Sequence, residues 1–357
     1  MSVVEQVRVP HSRPFVGEAE AEAAAAVVRS RALAAGAVAA EVEATWREWT
    51  GTAAAACVAS GVGALRLGLW ALGVGRGDEV IVPAYSCVAL LNAVLVLGAT
   101  PVLADVVADE WTLDPDDAAA RATGRTRAAI AVDLFGMPAR LDALRALEVP
   151  LLEDCAHGIG GRTAAGPFGG GGDVSIGSFY ATKMIAGGEG GILAARDAAL
   201  VERVRGARDY GDQLPGPHKL NDKLTDVEAA IVREQLRRLP DMLARRAARA
   251  ARYAEALAPL AGAGLAVLPP DAPGRIWYRY AIRLTAGSAL DVCERMAARG
   301  VRVEAPVWDL RGAEQWSPGL AVTAAAFDRV VSLPLYPDLS EDEQALVAGG
   351  LREVLGL

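Results

Sequence analysis

Short apolar runs alternate with longer amphipathic stretches along most of this chain. The stretch A-A-C-V-A-S-G-V-G-A-L-R-L-G-L-W reads as a small-residue strand that enters a helix through Ser60-Gly61. Further strands are predicted at 79–83, 101–106, 127–134 and 151–154, with helices at 88–97 and 141–147 between them. An apolar run at 174–179 and a strand at 192–195 precede a helix at 200–208. Strands alternating with helices indicate a mostly parallel sheet covered on both faces. Ligands of such sheets bind beyond the carboxyl ends of the strands.

The flanking regions depart from that rhythm. Residues 17–51 are alanine-rich and predict two helices, broken near Ala35-Gly36, that form an arm over the main domain or a partner subunit. The run Gly166–Gly172 reads as a flexible loop, and 209–222 as a polar, proline-broken one. Leu224, Val227, Ile231 and Leu236 recur at helical spacing, and a long arginine-rich helix is expected from about 240 to 257. Beyond Gly264 a strand at 276–284, a helix at 289–299, a short strand at 301–303 and a terminal helix from Glu341 suggest a small α+β domain. The expected division is a large domain over 1–245 and a small C-terminal domain over 246–357.

Composition narrows the function. A chain of 357 residues exceeds the usual size of a single core, which agrees with two domains. A net charge of −8 argues against a nucleic-acid partner. Four scattered cysteines and three histidines make a disulfide framework or a metal centre improbable. With no basic-then-apolar leader and no apolar run of membrane-spanning length, a cytoplasmic location without membrane attachment is expected.

The candidate chemistry gathers at strand ends. Asp154 closes one predicted strand, with His157 three residues later; Ser178 and then Lys183 follow another. A lysine amine, a carboxylate and hydroxyl or backbone donors are what pyridoxal 5′-phosphate requires: a Schiff-base partner, a partner for its pyridine nitrogen, and a phosphate site. The Ser60-Gly61 turn presents free N–H groups at a helix start, an anion site, although Ser60 is equally an ordinary helix cap. Its Gly61-x-Gly63 pair lacks the third glycine of a dinucleotide fingerprint, since Arg66 stands there. A phosphate cradle for a smaller cofactor fits better.

These motifs, in this order, resemble the DegT/DnrJ/EryC1/StrS family of sugar aminotransferases, within the fold-type I superfamily of pyridoxal-phosphate enzymes. The resemblance is carried by S-G-x-x-A-L at Ser60–Leu65, G-D-E-V-I-V-P at Gly77–Pro83, E-D-x-A-H at Glu153–His157, S-F-Y-A-T-K at Ser178–Lys183 and G-E-G-G at Gly188–Gly191. It implies an α/β fold with a mostly parallel seven-stranded sheet and a small C-terminal α+β domain. Lys183 would form the internal aldimine and shuttle the proton, and Asp154 would pair with the pyridinium nitrogen. His157 would contact the ring, while Ser178 and the backbone of Gly61 and Val62 would hold the phosphate. Asn221 matches an asparagine that the family contributes from the neighbouring subunit, which implies a homodimer with shared sites.

Some positions depart from the family pattern. Val62 stands where threonine is usual, Cys87 where an aromatic ring stacks on the cofactor, and Lys223 where arginine follows the asparagine. Tyr85 is the candidate substitute for the missing ring, and Tyr85 and Trp308 are candidates for the substrate pocket, with core packing equally open for both. The expected reaction moves an amino group from glutamate or glutamine to a keto group on a nucleotide-linked sugar or a keto-cyclitol. Two alternatives stay open: another pyridoxal reaction at Cα or Cβ, and a cofactor-binding regulator without catalysis.

Overall fold

The computed structural model describes residues 7–209 and 219–357; most of the expected 209–222 loop lies outside them. Two helices, α1 (Glu18–Ser30) and α2 (Ala37–Thr50), lead into β1 (Ala54–Val58) and α3 (Gly61–Ala71). Then follow β2 (Glu79–Pro83), α4 (Ala89–Leu95), β3 (Thr100–Ala104), α5 (Pro115–Arg121), β4 (Thr126–Val132), the single turn α6 (Leu141–Leu144) and β5 (Leu151–Asp154). A two-residue-strand hairpin, β6 (Arg162–Thr163) and β7 (Gly166–Pro167), precedes β8 (Val174–Ser178), β9 (Gly191–Ala195) and α7 (Ala198–Arg208).

Seven of these strands form one sheet in the order β1-β9-β8-β5-β4-β2-β3. Every pairing is parallel except those of β9, which runs antiparallel to β1 and β8. Strands β1, β2, β5 and β9 are buried throughout, which is why they read as apolar runs without alternation.

The C-terminal part begins with one continuous 37-residue helix, α8 (Asp226–Gly262). This corrects the expected start near 240. Pro240 removes one helical hydrogen bond but does not end the helix, because Leu236, Leu239 and Met242 on either side of it are buried in the same core. Further along, Ala250, Tyr253, Leu257 and Leu260 enter a second core. That core holds the three-stranded sheet β10 (Ala266–Val267), β11 (Tyr280–Leu284) and β12 (Val330–Leu333), with α9 (Ala289–Ala297) and α11 (Glu341–Leu355). A helix absent from the sequence reading, α10 (Ala321–Arg329), precedes β12; the β3-end residue Asp105 accepts hydrogen bonds from Val322 N–H, Thr323 N–H and the Thr323 hydroxyl at its start.

Three further expectations are corrected. Only 280–284 of the predicted 276–284 strand is paired, since Ile276 N–H instead donates to Gly136 O at 3.0 Å in the loop after β4. The 301–303 strand reduces to single bridges, Val9 with Val301 and Glu304 with Ser332. The glycine run at 166–172 is not a free loop. The buried Glu153 carboxylate accepts hydrogen bonds from the N–H groups of Gly169 (2.6 Å), Gly171 (2.9 Å) and Gly172 (2.9 Å), so an acid on β5 pins it. In the same manner Asp226, in the first turn of α8, caps α2 by accepting from Gly36 N–H (2.8 Å) and Ala39 N–H (3.0 Å).

Candidate active site

The carboxyl edge of the large sheet opens on a cavity of about 710 Å³. Three chain ends deliver its polar floor: Asp154 from β5, Ser178 from β8 and the Ser60–Val62 turn that starts α3. The Ser60 hydroxyl accepts from Gly63 N–H at 3.0 Å and caps the helix, so that reading of Ser60 is correct and Ser60 lines the cavity as well. Gly61 is required by contact: a Cβ there would lie 2.8 Å from the Ser178 Cβ and 2.9 Å from its hydroxyl. The turn and Ser178 are therefore side by side. Free N–H groups at the start of α3 with a hydroxyl beside them form an anion cradle.

Lys183 sits in the turn after β8, held by its own N–H donating to Tyr180 O at 2.8 Å. Its Nζ lies 2.8 Å from His157 Nε2. The imidazole is fixed from three directions. Phe135 N–H donates to Nδ1 at 3.4 Å, the Phe135 ring stacks at 6.2 Å, and the Tyr278 ring stacks at 4.1 Å with planes 18° apart. Phe135 holds this place with φ of 55°, a left-handed conformation unusual for a side-chain-bearing residue. Gly136 beside it lets the 276–279 segment approach, since a Cβ there would meet Ile276 O at 2.1 Å.

Electrostatics assign protonation states. Burial, with the charges of Lys183 and Arg279, pushes His157 well below the ordinary imidazole range, so it is neutral and carries a single ring proton. Burial raises Asp154, opposed by the Ala156 N–H bond (2.9 Å to Oδ1) and by the Lys183 charge. Asp154 thus takes one hydrogen bond among the described residues and lines the cavity, placed to receive a cationic partner. For Tyr278, burial raises the phenol, but the charges of Arg279 and Lys183 outweigh it and hold the value at about 8.

The structure brings together Gly61, Val62, Cys87, Asp154, His157, Ser178 and Lys183 along one cavity. Tyr85 is not among its lining residues. It is 1% exposed and packs between Trp111 (6.3 Å) and Phe327 (5.4 Å), so a core role replaces the proposed ring-stacking one. Strand alternation does not place these two residues, because β2 ends at Pro83; in the turn that follows only Cys87 reaches the opening. Trp308, by contrast, is 81% exposed at the cavity wall. Asn221 is exposed and outside the lining of its own chain's cavity. Sequence reasoning missed Tyr278, Arg279 and His11, all of which line the cavity. The available signal was Arg279 itself, a charge inside the run I-W-Y-R-Y-A-I.

A lysine amine beside a neutral imidazole, a buried carboxylate with an unfilled side and an anion cradle fit pyridoxal 5′-phosphate. On this sheet topology they define a fold-type I enzyme of that cofactor. The chain belongs to the DegT/DnrJ/EryC1/StrS aminotransferase family, whose model matches residues 14–352, and it is an aminotransferase. It is 36% identical over 326 residues, 87% of this chain and 85% of the relative, to the dTDP-3-amino-3,4,6-trideoxy-alpha-D-glucose transaminase of Streptomyces venezuelae. It is 33% identical over 314 residues, 83% of each chain, to the UDP-N-acetyl-3-dehydro-alpha-D-glucosamine 3-aminotransferase of Acidithiobacillus ferrooxidans. Among solved structures it resembles the aminotransferase TlmJ of Streptoalloteichus hindustanus, with a TM-score of 0.91, 31% identity and coverage of 97% and 98% of the two chains. It also resembles DesV of S. venezuelae in complex with a ketimine intermediate, with a TM-score of 0.85, 32% identity and coverage of 95% and 94%.

Proposed function

We propose that this chain transfers an amino group from glutamate or glutamine to the keto group of a nucleotide-linked sugar. The observation that carries the proposal is the 2.8 Å contact between Lys183 Nζ and a neutral His157, in one cavity with the buried Asp154. Nucleotide-linked sugars are named as products or substrates of both curated relatives, which supports that acceptor class over a free keto-cyclitol.

Bound pyridoxal phosphate supplies the electron sink for the α-carbon chemistry. Lys183 would hold its aldehyde carbon, Asp154 its protonated ring nitrogen, and Ser178 with the Gly61 and Val62 N–H groups its phosphate. Lys183 Nζ would be the base that takes the donor's α-proton and the acid that later gives a proton to the former keto carbon. His157 Nε2 orients that amine through the 2.8 Å hydrogen bond between them. The stacked rings of Phe135, His157 and Tyr278 form a wall that excludes water from one side of the amine.

A homodimer belongs to the same reading. Asn221 and Leu220 are exposed, as are Val62 and Tyr180 on the cavity lining; a second copy would cover these apolar groups and bring its Asn221 to the neighbouring cavity. The test is spectroscopic. Protein loaded with the cofactor is titrated with glutamate and with glutamine, and then given a panel of nucleotide-linked keto-sugars with mass detection of amino products. Bleaching of the cofactor band by either donor, followed by aminated sugar, is the expected result. A band indifferent to every amino acid would sink the proposal.

A further inference from the structure

Beside the reacting amine the cavity carries a second cation that the proposed amino transfer leaves unused. Arg279 lines the cavity, and no carboxylate among the described residues lies within ion-pair distance of its guanidinium. Its polar neighbours are His11, whose Nδ1 is 2.7 Å from Nη1, and the Tyr278 hydroxyl, 3.4 Å from Nη2. Glu304, the nearby acid, is occupied by His11 at 3.0 Å and by Arg302 at 3.1 Å. Burial and the Arg279 charge push His11 down to about 4, so its imidazole is neutral and contributes no compensating charge. The Glu304 charge reaches Arg279 only from beyond pairing distance, and a half-buried guanidinium without a directly paired carboxylate is costly unless a ligand supplies one.

Its position says which ligand. The Arg279 Cζ is 4.9 Å from the Tyr278 ring centre and Lys183 Nζ is 5.6 Å from the same centre, so both cations border one ring. The amine and carboxylates of an amino-acid donor span that kind of separation. The phosphates of a nucleotide-linked sugar stand a whole sugar ring away from the keto carbon. We propose that Arg279 recognises a carboxylate of the amino donor, pairing with it through the two-pronged geometry of a guanidinium while the donor amine lies beside Lys183. This assignment rests on the amino-transfer reading above.

The experiment separates the two. In cofactor-loaded protein the glutamate concentration for half-maximal bleaching is compared among wild type, Arg279→Gln and Arg279→Lys, with titration calorimetry of glutarate, an inert dicarboxylate, and of uridine diphosphate. In Arg279→Gln the glutamate requirement rises about 10- to 100-fold, the range expected for losing a charge-assisted pair. The limiting rate changes less, glutarate binding weakens in parallel, and Arg279→Lys recovers part of both. Uridine diphosphate binding is unaltered. Unchanged glutamate and glutarate dependence in Arg279→Gln overturns the assignment, as does a loss confined to uridine diphosphate, which would give the guanidinium to the acceptor's phosphates. If wild type bleaches with no donor, the amino-transfer reading fails, and the glutarate titration still decides whether Arg279 binds carboxylates. A folding defect in Arg279→Gln would show as an altered melting temperature, and Arg279→Lys, keeping the charge, then carries the comparison.

Discussion

The two ends of the cavity are built differently. At the cofactor end, Asp154, Ser178 and Ser60–Val62 stand at the tips of neighbouring elements of one sheet, each within a short motif. At the other end, His11, Tyr278, Arg279, Glu304 and Trp308 come from three distant stretches of chain. Val9 bridges to Val301, Arg279 reaches His11, and Ser332 meets His11 Nε2 at 2.9 Å. A sheet edge is a rigid place for chemistry common to a family, whereas crossing segments can vary without disturbing it.

The buried acids of the cofactor end respond to acid with the opposite sign to the groups at the other end, while His157, also lowered by burial, shares the sign of His11. At the cofactor end burial raises Asp133, Glu153 and Asp154, so the folded protein takes up protons there more readily than the unfolded chain, and acid relieves a cost. At the other end His11 is lowered to about 4, and Glu304, through its bond to His11, to about 2. There the unfolded chain protonates first, and stability is lost as pH falls below the ordinary imidazole and carboxylate values.

The largest expected effect that would break this comparison is at Asp154. Asp154→Asn should lower turnover about 10²- to 10³-fold, the scale of losing one preorganised electrostatic partner. Because burial disfavours its charge, the cofactor-free variant should melt at or above the wild-type temperature. A variant with near-normal turnover would remove Asp154 from the chemistry.

At the other end the expected effect is on stability. Denaturant unfolding of wild type should lose about 2 kcal/mol at His11 between pH 6.5 and 4, because the imidazole protonates in the unfolded chain before it does in the folded one. His11→Gln should make that interval shallower, with the contribution of His157 remaining, and leave behaviour above pH 7 unchanged. An identical pH slope in both proteins would contradict a buried neutral imidazole. The smallest effect belongs to Tyr85→Phe, for which turnover and cofactor affinity should stay within about twofold of wild type. A large loss in steady-state assays would return Tyr85 to the cavity.

The cofactor end was legible because its spacing is local: E-D-x-A-H and S-F-Y-A-T-K each put acid, imidazole, hydroxyl and amine within a few residues of a strand end. The same locality explains why the alternation of strands and helices along the chain was legible while their partners were not. The glycine run looked free because nothing nearby in sequence announces that Glu153 would bind its N–H groups. The long helix was cut at Pro240 because local propensity there opposes the burial that keeps it whole.

Sequence by itself determined the alternation of strand and helix, the positions of amine and carboxylate relative to strand ends, and the absence of a dinucleotide fingerprint. These follow from backbone periodicity and short-range chemistry, which one stretch of chain contains entirely. Only the tertiary structure decided that Tyr85 is core, that Tyr278 stacks on His157, and that Arg279 lines the same cavity as the reacting amine with no carboxylate among the described residues at ion-pair distance. Those outcomes depend on burial and on charges contributed by segments hundreds of residues apart, such as His11 and Arg279. No local pattern encodes such a meeting, because its energy arises only when both segments have left water together.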